Sequence, residues 1–203
     1  MSLHFDVARR VSQNDPVRLA ALLELARRLT AEPGDFIELG VYEGGSALLL
    51  ALALQEARSS RKLHLCDAWQ GMPEPGPRDA GTILRRGVFA GPNEARVTAF
   101  LQSQGVRAHV EMHAGWVADT LPQLEGPFAL AHVDLDLYEG TRVALLHLLP
   151  RMTVGGVVVC DDYGGTRFPG VSRAVLEALA ACPGWTVREC IGERDQAAIL
   201  VRC

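Results

Sequence analysis

Short apolar runs alternate with amphipathic stretches along most of the chain. Seven runs have the length of buried strands, and we predict strands at residues 36–41, 62–67, 108–113, 127–134, 153–160, 185–191 and 196–201. The stretches with helical spacing predict helices at residues 16–29, 47–57, 93–104, 118–124, 138–149 and 171–181. Because a helix separates each of the first five strands from the next, the pattern predicts an open, mostly parallel α/β sheet covered on both faces. The last two strands are joined by a short polar turn, so we expect an antiparallel pair.

Two segments fall outside this alternation. Residues 1–15 are polar, and we expect them to be irregular or weakly helical before the helix that starts at Pro16, with Asp15 as its N-cap. Residues 68–92 contain four prolines and five glycines, which no core strand would tolerate. We therefore predict one domain over residues 1–203, with an N-terminal helical segment at 1–33 and a lid-like loop at 68–92.

Composition narrows the class of protein. The chain has 48% apolar and 22% charged residues, as an ordinary soluble protein does, and a net charge of −4 does not favour a nucleic-acid partner. The charged N-terminus lacks the apolar segment of a signal peptide, and the longest apolar run is far short of a membrane span. The five cysteines show no C-x-x-C spacing, so we predict no zinc or disulfide framework among them and a cytoplasmic location. The sequence leaves open whether the chain forms a homo-oligomer.

The first strand runs into a glycine turn and an apolar helix, in the stretch FIELGVYEGGS at residues 36–46. This arrangement is typical of nucleotide-like ligand sites, because glycines allow close approach and free N–H groups of the helix face the ligand. The spacing of Gly40, Gly44 and Gly45 does not match G-x-G-x-x-G, and glycines at such turns also serve packing alone. Asp67 ends the second strand, 27 residues after Gly40, and is either a ribose ligand or a solvated strand-end carboxylate.

Acidic residues collect where the fourth and fifth strands end. They are Asp134, Asp136, Asp161 and Asp162. Carboxylates that converge in a cleft repel one another unless a cation or raised pKa values relieve them, and all-oxygen ligation suits Mg²⁺, Mn²⁺ or Ca²⁺. The alternative is that one of them caps the following helix and another is solvated.

Histidines and aromatic residues near the strand ends indicate a functional site less clearly than the acidic residues do. His132 lies in the middle of a strand and is predicted to be a hydrogen-bonded core residue. His113 ends the third strand and is left open between a ligand contact or base and a structural role. Tyr42, Trp69 and Trp116 are candidates for lining a pocket, although packing explains them equally.

Several motifs occur in an order that resembles a known family. They are ELGVYEGGS, CDAWQGMPEP, HAGWVADTLP, VDLDLYEGT, LPRMTVGGVVVCDDY and FPGVSRAV, spread over residues 34–182. The chain resembles the macrocin O-methyltransferase family, the S-adenosylmethionine-dependent sugar O-methyltransferases of antibiotic biosynthesis. The D-x-D followed 27 and 28 residues later by an Asp pair is also similar to metal-dependent catechol methyltransferases. The resemblance implies a Rossmann-like class I methyltransferase fold with strand order 3-2-1-4-5-7-6 and an antiparallel strand seven.

The resemblance also implies roles for individual residues. Asp134, Asp161 and Asp162 would bind Mg²⁺, and Asp136 would be the base that accepts the proton of the acceptor hydroxyl. The methyl donor, S-adenosyl-L-methionine, would be held by Glu38, Gly40, Tyr42, Gly44, Ser46, Asp67, Gly115 and Trp116. These roles agree with the chemistry inferred from the strand ends, since a metal activates a hydroxyl and a carboxylate removes its proton.

Two departures from the family concern the acceptor. The chain is short for the family, and we expect it to lack much of the N-terminal helical region that helps to close the acceptor site. Leu135 stands where the family commonly has glycine. A vicinal diol of catechol type is therefore a second candidate acceptor. A nicotinamide oxidoreductase or a non-catalytic binding protein is a further hypothesis, although the glycine spacing disfavours the former.

Overall fold

A seven-stranded sheet organises the protein. The computed structural model describes residues 3–106, 109–192 and 195–203. The strands are β1 Asp35–Leu39, β2 Leu63–Asp67, β3 Val110–Ala114, β4 Phe128–Val133, β5 Met152–Tyr163, β6 Trp185–Ile191 and β7 Gln196–Arg202. Their order is β3-β2-β1-β4-β5-β7-β6, and β7 runs antiparallel to both neighbours. The predicted fold class, strand order and reversed seventh strand are confirmed.

Helices cover both faces of this sheet. They are α1 Leu3–Val11, α2 Pro16–Leu29, α3 Gly45–Glu56, α4 Glu94–Ser103, α5 Val117–Thr120, α6 Tyr138–Leu148 and α7 Pro169–Ala181. Alternation along the strands divides the core in two: Phe36 points toward α1 to α4, whereas Ile37 and Leu39 point toward α6 and α7. Because α3 is covered on all sides, its apolar residues are buried around the whole helix.

The N-terminal segment is more ordered than the sequence indicates. Residues 3–11 form α1, which buries Phe5 and Ala8 against α3. A helix of nine residues has little stability of its own, so packing stabilises it and its local sequence gives only a weak signal. At the start of α3, a side chain on Gly45 would lie 2.7 Å from the carbonyl oxygen of Ala8, which shows how closely the two helices approach.

The strand ends lie within two residues of those predicted, apart from the start of β3 and the end of β5. The predicted start of β3 at residue 108 lies outside the described residues. β5 continues three residues beyond the predicted end at Cys160, through a bulge in its pairing with β7, and so includes the Asp161–Asp162 pair. All five cysteines are free thiols. Over the described ranges, the helices are too short or too polar for any of them to cross a membrane.

Candidate active site

The turn after β1 brings the carboxyl ends of β1 and β4 into contact. Gly40 has a φ of 88°, and a Cβ atom there would lie 1.8 Å from the backbone oxygen of Asp134. No side chain fits at this position, so glycine is required both for the backbone conformation and for the close approach. The contact places the glycine turn beside the acidic residues that follow β4.

Asp67, at the end of β2, fixes the shape of this turn. One carboxylate oxygen accepts hydrogen bonds from the backbone N–H of Val41 (2.8 Å) and of Tyr42 (2.9 Å), and the other accepts from the N–H of Trp69 (2.7 Å). Tyr42 has a positive φ of 50°, a conformation that these bonds help to hold. A carboxylate offers about four acceptor positions, so Asp67 can still accept from a ligand hydroxyl.

A cavity of about 320 Å³ opens beside the turn. Six of the residues predicted to hold a methyl donor line it: Gly40, Tyr42, Ser46, Asp67, Gly115 and Trp116. Two others, Glu38 and Gly44, lie behind this lining; Glu38 is fully buried and Gly44 precedes α3 in a left-handed conformation. The cavity has the size of a small-molecule site and reaches the ends of both β1 and β4.

Acidic side chains form another part of the lining of the same cavity. Asp134, Asp136 and Asp162 line it, and each offers one oxygen within 4.8 Å of the others. Asp136 (φ 59°) and Asp162 (φ 64°) both have left-handed backbone conformations, which are uncommon outside glycine and gather at functional sites. Two neighbouring strand ends thus aim three carboxyl groups at one point.

The pKa values of these acids show that they crowd one another. Burial raises the pKa of Asp134 well above its usual range, and the charges of Asp161 and Asp162 raise it further. Burial and the neighbouring Asp134 and Asp162 do the same to the pKa of Asp136. Burial, together with Asp161, raises the pKa of Asp162 to about 6. Negative charge therefore exceeds positive charge at this site.

Comparison with known families decides the identity of this arrangement. Residues 15–181, which include the glycine turn and the acidic residues, match the macrocin-O-methyltransferase (TylF) family. The chain belongs to this family. The predicted resemblance is confirmed, and the matched range covers every strand from β1 to β5.

Individual relatives of this family member are named as O-methyltransferases of Streptomyces species. The chain is 37% identical over 140 residues to an 8-demethyl-8-(2,3-dimethoxy-alpha-L-rhamnosyl)-tetracenomycin-C 4'-O-methyltransferase of Streptomyces olivaceus, covering 64% of this chain and 53% of the relative. It is 34% identical over 140 residues to a demethyldecarbamoylnovobiocin O-methyltransferase of Streptomyces niveus, with the same coverage of both chains. The match thus spans about half the length of these two relatives. The solved O-methyltransferase NovP superposes with a TM-score of 0.78 at 28% identity, covering 91% of this chain and 79% of that one.

Behind the cavity, His132 bridges two carboxylates. In this family member its Nδ1 lies 2.8 Å from a Glu38 oxygen and its Nε2 lies 2.9 Å from an Asp161 oxygen, with all three side chains buried. Burial opposes a charged imidazole, but the bonds to Asp161 and Glu38 prevail and raise the pKa of His132 well above its usual range. The prediction that His132 is a hydrogen-bonded core residue is confirmed, and its link to the acidic cluster is a new finding.

Two N-terminal residues, which the sequence did not single out, also reach the acids. Arg18 in α2 places Nη1 3.3 Å from Asp161 and 3.4 Å from Asp162. Asn14 donates from Nδ2 to Asp134 at 3.3 Å. The only sequence signal near them is the helix start at Asp15, which accepts hydrogen bonds from the N–H of residues 17 and 18. Because these contacts join residues more than 100 positions apart, no local sequence pattern predicts them.

The donor set fits a hard divalent cation. Among the described residues, two cations, Arg18 and His132, face a larger group of carboxylates at this point: Glu38, Asp134, Asp136, Asp161 and Asp162. In addition, one oxygen of buried Glu38 has no hydrogen-bond partner. Oxygen ligands with excess negative charge are what Mg²⁺ or Mn²⁺ prefers.

The predicted metal ligands do not all face the cavity. Asp161 uses one oxygen for Arg18 and the other for His132, whereas Asp136 joins Asp134 and Asp162. Burial would raise the pKa of Asp161, but His132 and Arg18 outweigh it and the pKa is lowered. The metal roles of Asp134, Asp161 and Asp162 and the base role of Asp136 remain predictions.

The contacts of Trp69 and His113 show where these two candidate residues lie relative to the cavity. Trp69 donates from its indole N–H to the carbonyl of Tyr42 and packs against the core beside α3. His113 is not part of the cavity lining among the described residues; its Nε2 lies 3.0 Å from Nδ1 of His64. The third strand end therefore contributes Gly115 and Trp116 to the cavity, and His113 faces elsewhere.

Proposed function

We propose that this protein is an S-adenosylmethionine- and divalent-metal-dependent O-methyltransferase that acts on a hydroxyl of a sugar in a secondary metabolite. One observation carries the proposal: the glycine turn after β1 and the acidic cluster after β4 and β5 form two walls of a single cavity. A donor held at one wall would lie next to an acceptor held at the other, and such positioning accounts for much of the acceleration of a bimolecular transfer.

The donor would be held by the wall that the glycine turn forms. Asp67 would accept the ribose hydroxyls, and the N–H groups of Val41 and Tyr42 fix its orientation. The rings of Tyr42 and Trp116 line the same space and would pack against an adenine. S-adenosylmethionine would supply the methyl group, whose bond to sulfur breaks as the bond to the acceptor oxygen forms.

The acidic wall would activate the acceptor. A cation held by Asp134 and Asp162, with Asp161 behind them, would lower the pKa of the acceptor hydroxyl. Asp136 then accepts the proton, a role for which its position on the cavity wall suits it. His132 behind the cavity and Arg18 in its lining hold Asp161 in place.

The names of the relatives favour a sugar as the acceptor. The Streptomyces olivaceus relative carries a rhamnosyl group in the name of its substrate. A catechol-type vicinal diol is the second candidate, because the spacing of the acids suits either acceptor. With all five cysteines free, we also propose that the protein acts in the reducing cytoplasm.

Two measurements test this proposal. Calorimetry should detect binding of S-adenosylhomocysteine but not of NADH, and Asp136→Asn should keep that binding while losing at least about 100-fold in methyl transfer, the usual contribution of a general base. Glycoside and catechol acceptors should be assayed side by side with labelled donor, with and without EDTA. Binding of NADH alone would refute the methyltransferase assignment, and full activity in EDTA would refute the metal role.

A further inference from the structure

A second cluster of metal-ligating side chains lies away from the cavity, where β2 and β3 meet. His64 and Glu111 are register partners on the two strands, and His113 follows Glu111 by two residues. Side chains two apart on a strand, and side chains of register partners, project from the same face of the sheet. The three therefore converge, and each offers one ligand atom within 4.8 Å of the others.

Two of the distances between these atoms are close to those of a tetrahedral zinc site. Nδ1 of His64 lies 3.0 Å from Nε2 of His113 and 3.5 Å from Oε2 of Glu111. Zn²⁺ binds nitrogen and oxygen ligands at about 2.0–2.2 Å, so the edge of a zinc tetrahedron is about 3.3–3.5 Å. The observed distances lie close to that edge, which means that small side-chain movements suffice to admit the ion.

The surroundings of the cluster also suit a metal. Asp35 on β1 lies 3.4 Å from Nε2 of His64, so a carboxylate can hold the far nitrogen of that ligand protonated and leave Nδ1 free. Lys62 pairs with Oε1 of Glu111 at 2.5 Å and leaves Oε2 directed toward His64. Burial and the neighbouring His64 lower the pKa of His113, which favours the neutral imidazole that binds a metal. β3 is an edge strand, and Glu111 is 42% exposed, so the fourth position is open to water.

We propose that His64, Glu111 and His113 form a binding site for Zn²⁺ or a similar transition-metal ion, separate from the acidic cluster. Neither the proposed transfer reaction nor its Mg²⁺ uses these residues. Two imidazoles and one carboxylate favour an ion of intermediate hardness, such as Zn²⁺, over Mg²⁺, which prefers oxygen ligands. Without metal, the proton on Nε2 of His113 bridges to Nδ1 of His64; on binding, the ion takes that place and the proton moves to Nδ1 of His113 through solvent.

Cobalt spectroscopy separates this site from the acidic cluster. A four-coordinate Co²⁺ with nitrogen ligands absorbs strongly in the visible range, whereas Co²⁺ in an octahedral oxygen site absorbs weakly. We expect one equivalent of Co²⁺, added to the whole protein in excess Mg²⁺, to give the strong spectrum and one equivalent of Zn²⁺ to remove it. Asp35→Asn should weaken binding about 10–100-fold, as outer partners of metal-binding histidines do. His113→Gln and Glu111→Gln should weaken it further.

His4 serves as the control, because it lies outside the proposed site. His4→Gln changes a histidine of α1, which packs on the opposite face of the sheet, and should leave the spectrum unchanged. In the unsubstituted protein, Zn²⁺ should shift the NMR signals of the His64 and His113 rings and leave the His4 ring unchanged. The proposal is overturned if one equivalent of Co²⁺ gives only the weak spectrum, if the strong spectrum survives in folded His113→Gln, or if Zn²⁺ shifts no signal of the two rings. In those cases the two histidines simply hydrogen bond to each other.

Discussion

Replacing His132 by leucine should strongly destabilise the protein. His132 is 1% exposed and bridges Glu38 and Asp161, which are themselves buried. Leucine has a similar volume and fills the space, but it leaves two carboxylates without their shared cation. The effect therefore measures the electrostatic role of the imidazole and not the loss of packing.

The size of the effect follows from the two bonds. A hydrogen bond to a charged group contributes about 1.5–3 kcal/mol, so the pair contributes about 3–6 kcal/mol. Removing one partner of a buried ion pair costs about 3–5 kcal/mol, which agrees. For a domain of this size each kcal/mol lowers Tm by about 2–4 °C, so the loss of about 3–5 kcal/mol from the buried ion pair should lower Tm by roughly 6–20 °C in His132→Leu.

Thermal and urea unfolding in EDTA at pH 7.5 measure this effect without help from a bound cation. His147→Leu is the matched control, because His147 is half-buried and bonds to a neutral carbonyl, that of Leu124; its loss should cost only about 1 kcal/mol. Adding Glu38→Gln to His132→Leu should restore part of the stability, since it removes one unpaired charge. Equal losses in the two histidine variants, or no gain from Glu38→Gln, would show that His132 does not act as a cation between the two acids.

Two further substitutions test the contacts that build the site. Arg18→Met should lower the stability of the metal-free protein but increase the rise in Tm on adding Mg²⁺, because it removes a positive charge beside the acids. The control Arg27→Met breaks an exposed ion pair and should change neither the stability nor the response to Mg²⁺. An unchanged response to Mg²⁺ in the Arg18 variant would contradict this expectation. Gly40→Ala should cost at least about 3 kcal/mol in urea unfolding, since its Cβ would overlap a backbone oxygen at the end of β4. Gly87 has a similar φ of 83°, but no atom lies within 4 Å of a Cβ added there, so Gly87→Ala should cost only about 1 kcal/mol of stability. Equal losses of stability in the two variants would mean that the close approach at Gly40 does not contribute.

The sequence predicted the sheet because the signals for it are local. Each strand from β1 to β5 is a short apolar run, and a helical stretch separates it from the next, which is enough for a parallel α/β sheet. The carboxyl ends of such strands share one edge, so Asp67, Asp134 and Asp162 were expected to meet, and they line one cavity. The strand order itself came from the family resemblance.

The partners of the acids could not be predicted in the same way. Arg18 reaches Asp161 across 143 residues, and His132 reaches Glu38 across 94 residues, and both contacts depend on how α2 and the strands pack. The orientation of Asp161 likewise depends on its neighbours: a strand-end Asp pair suggests two equal ligands, but only Asp162 lines the cavity. Sequence pattern places residues on elements, and only packing decides which way their side chains turn.

These partners divide the acidic cluster into two parts with different requirements. Asp161 is neutralised by groups that belong to the fold, His132 and Arg18, and its pKa is lowered accordingly. Asp134 and Asp136 face the cavity without comparable cations, and burial beside their neighbours raises their pKa values. A buried carboxylate must gain either a proton or a cation, because the energy of leaving it charged and alone is too high. The fold therefore satisfies Asp161 with its own cations, whereas the proposed divalent cation would satisfy Asp134 and Asp136.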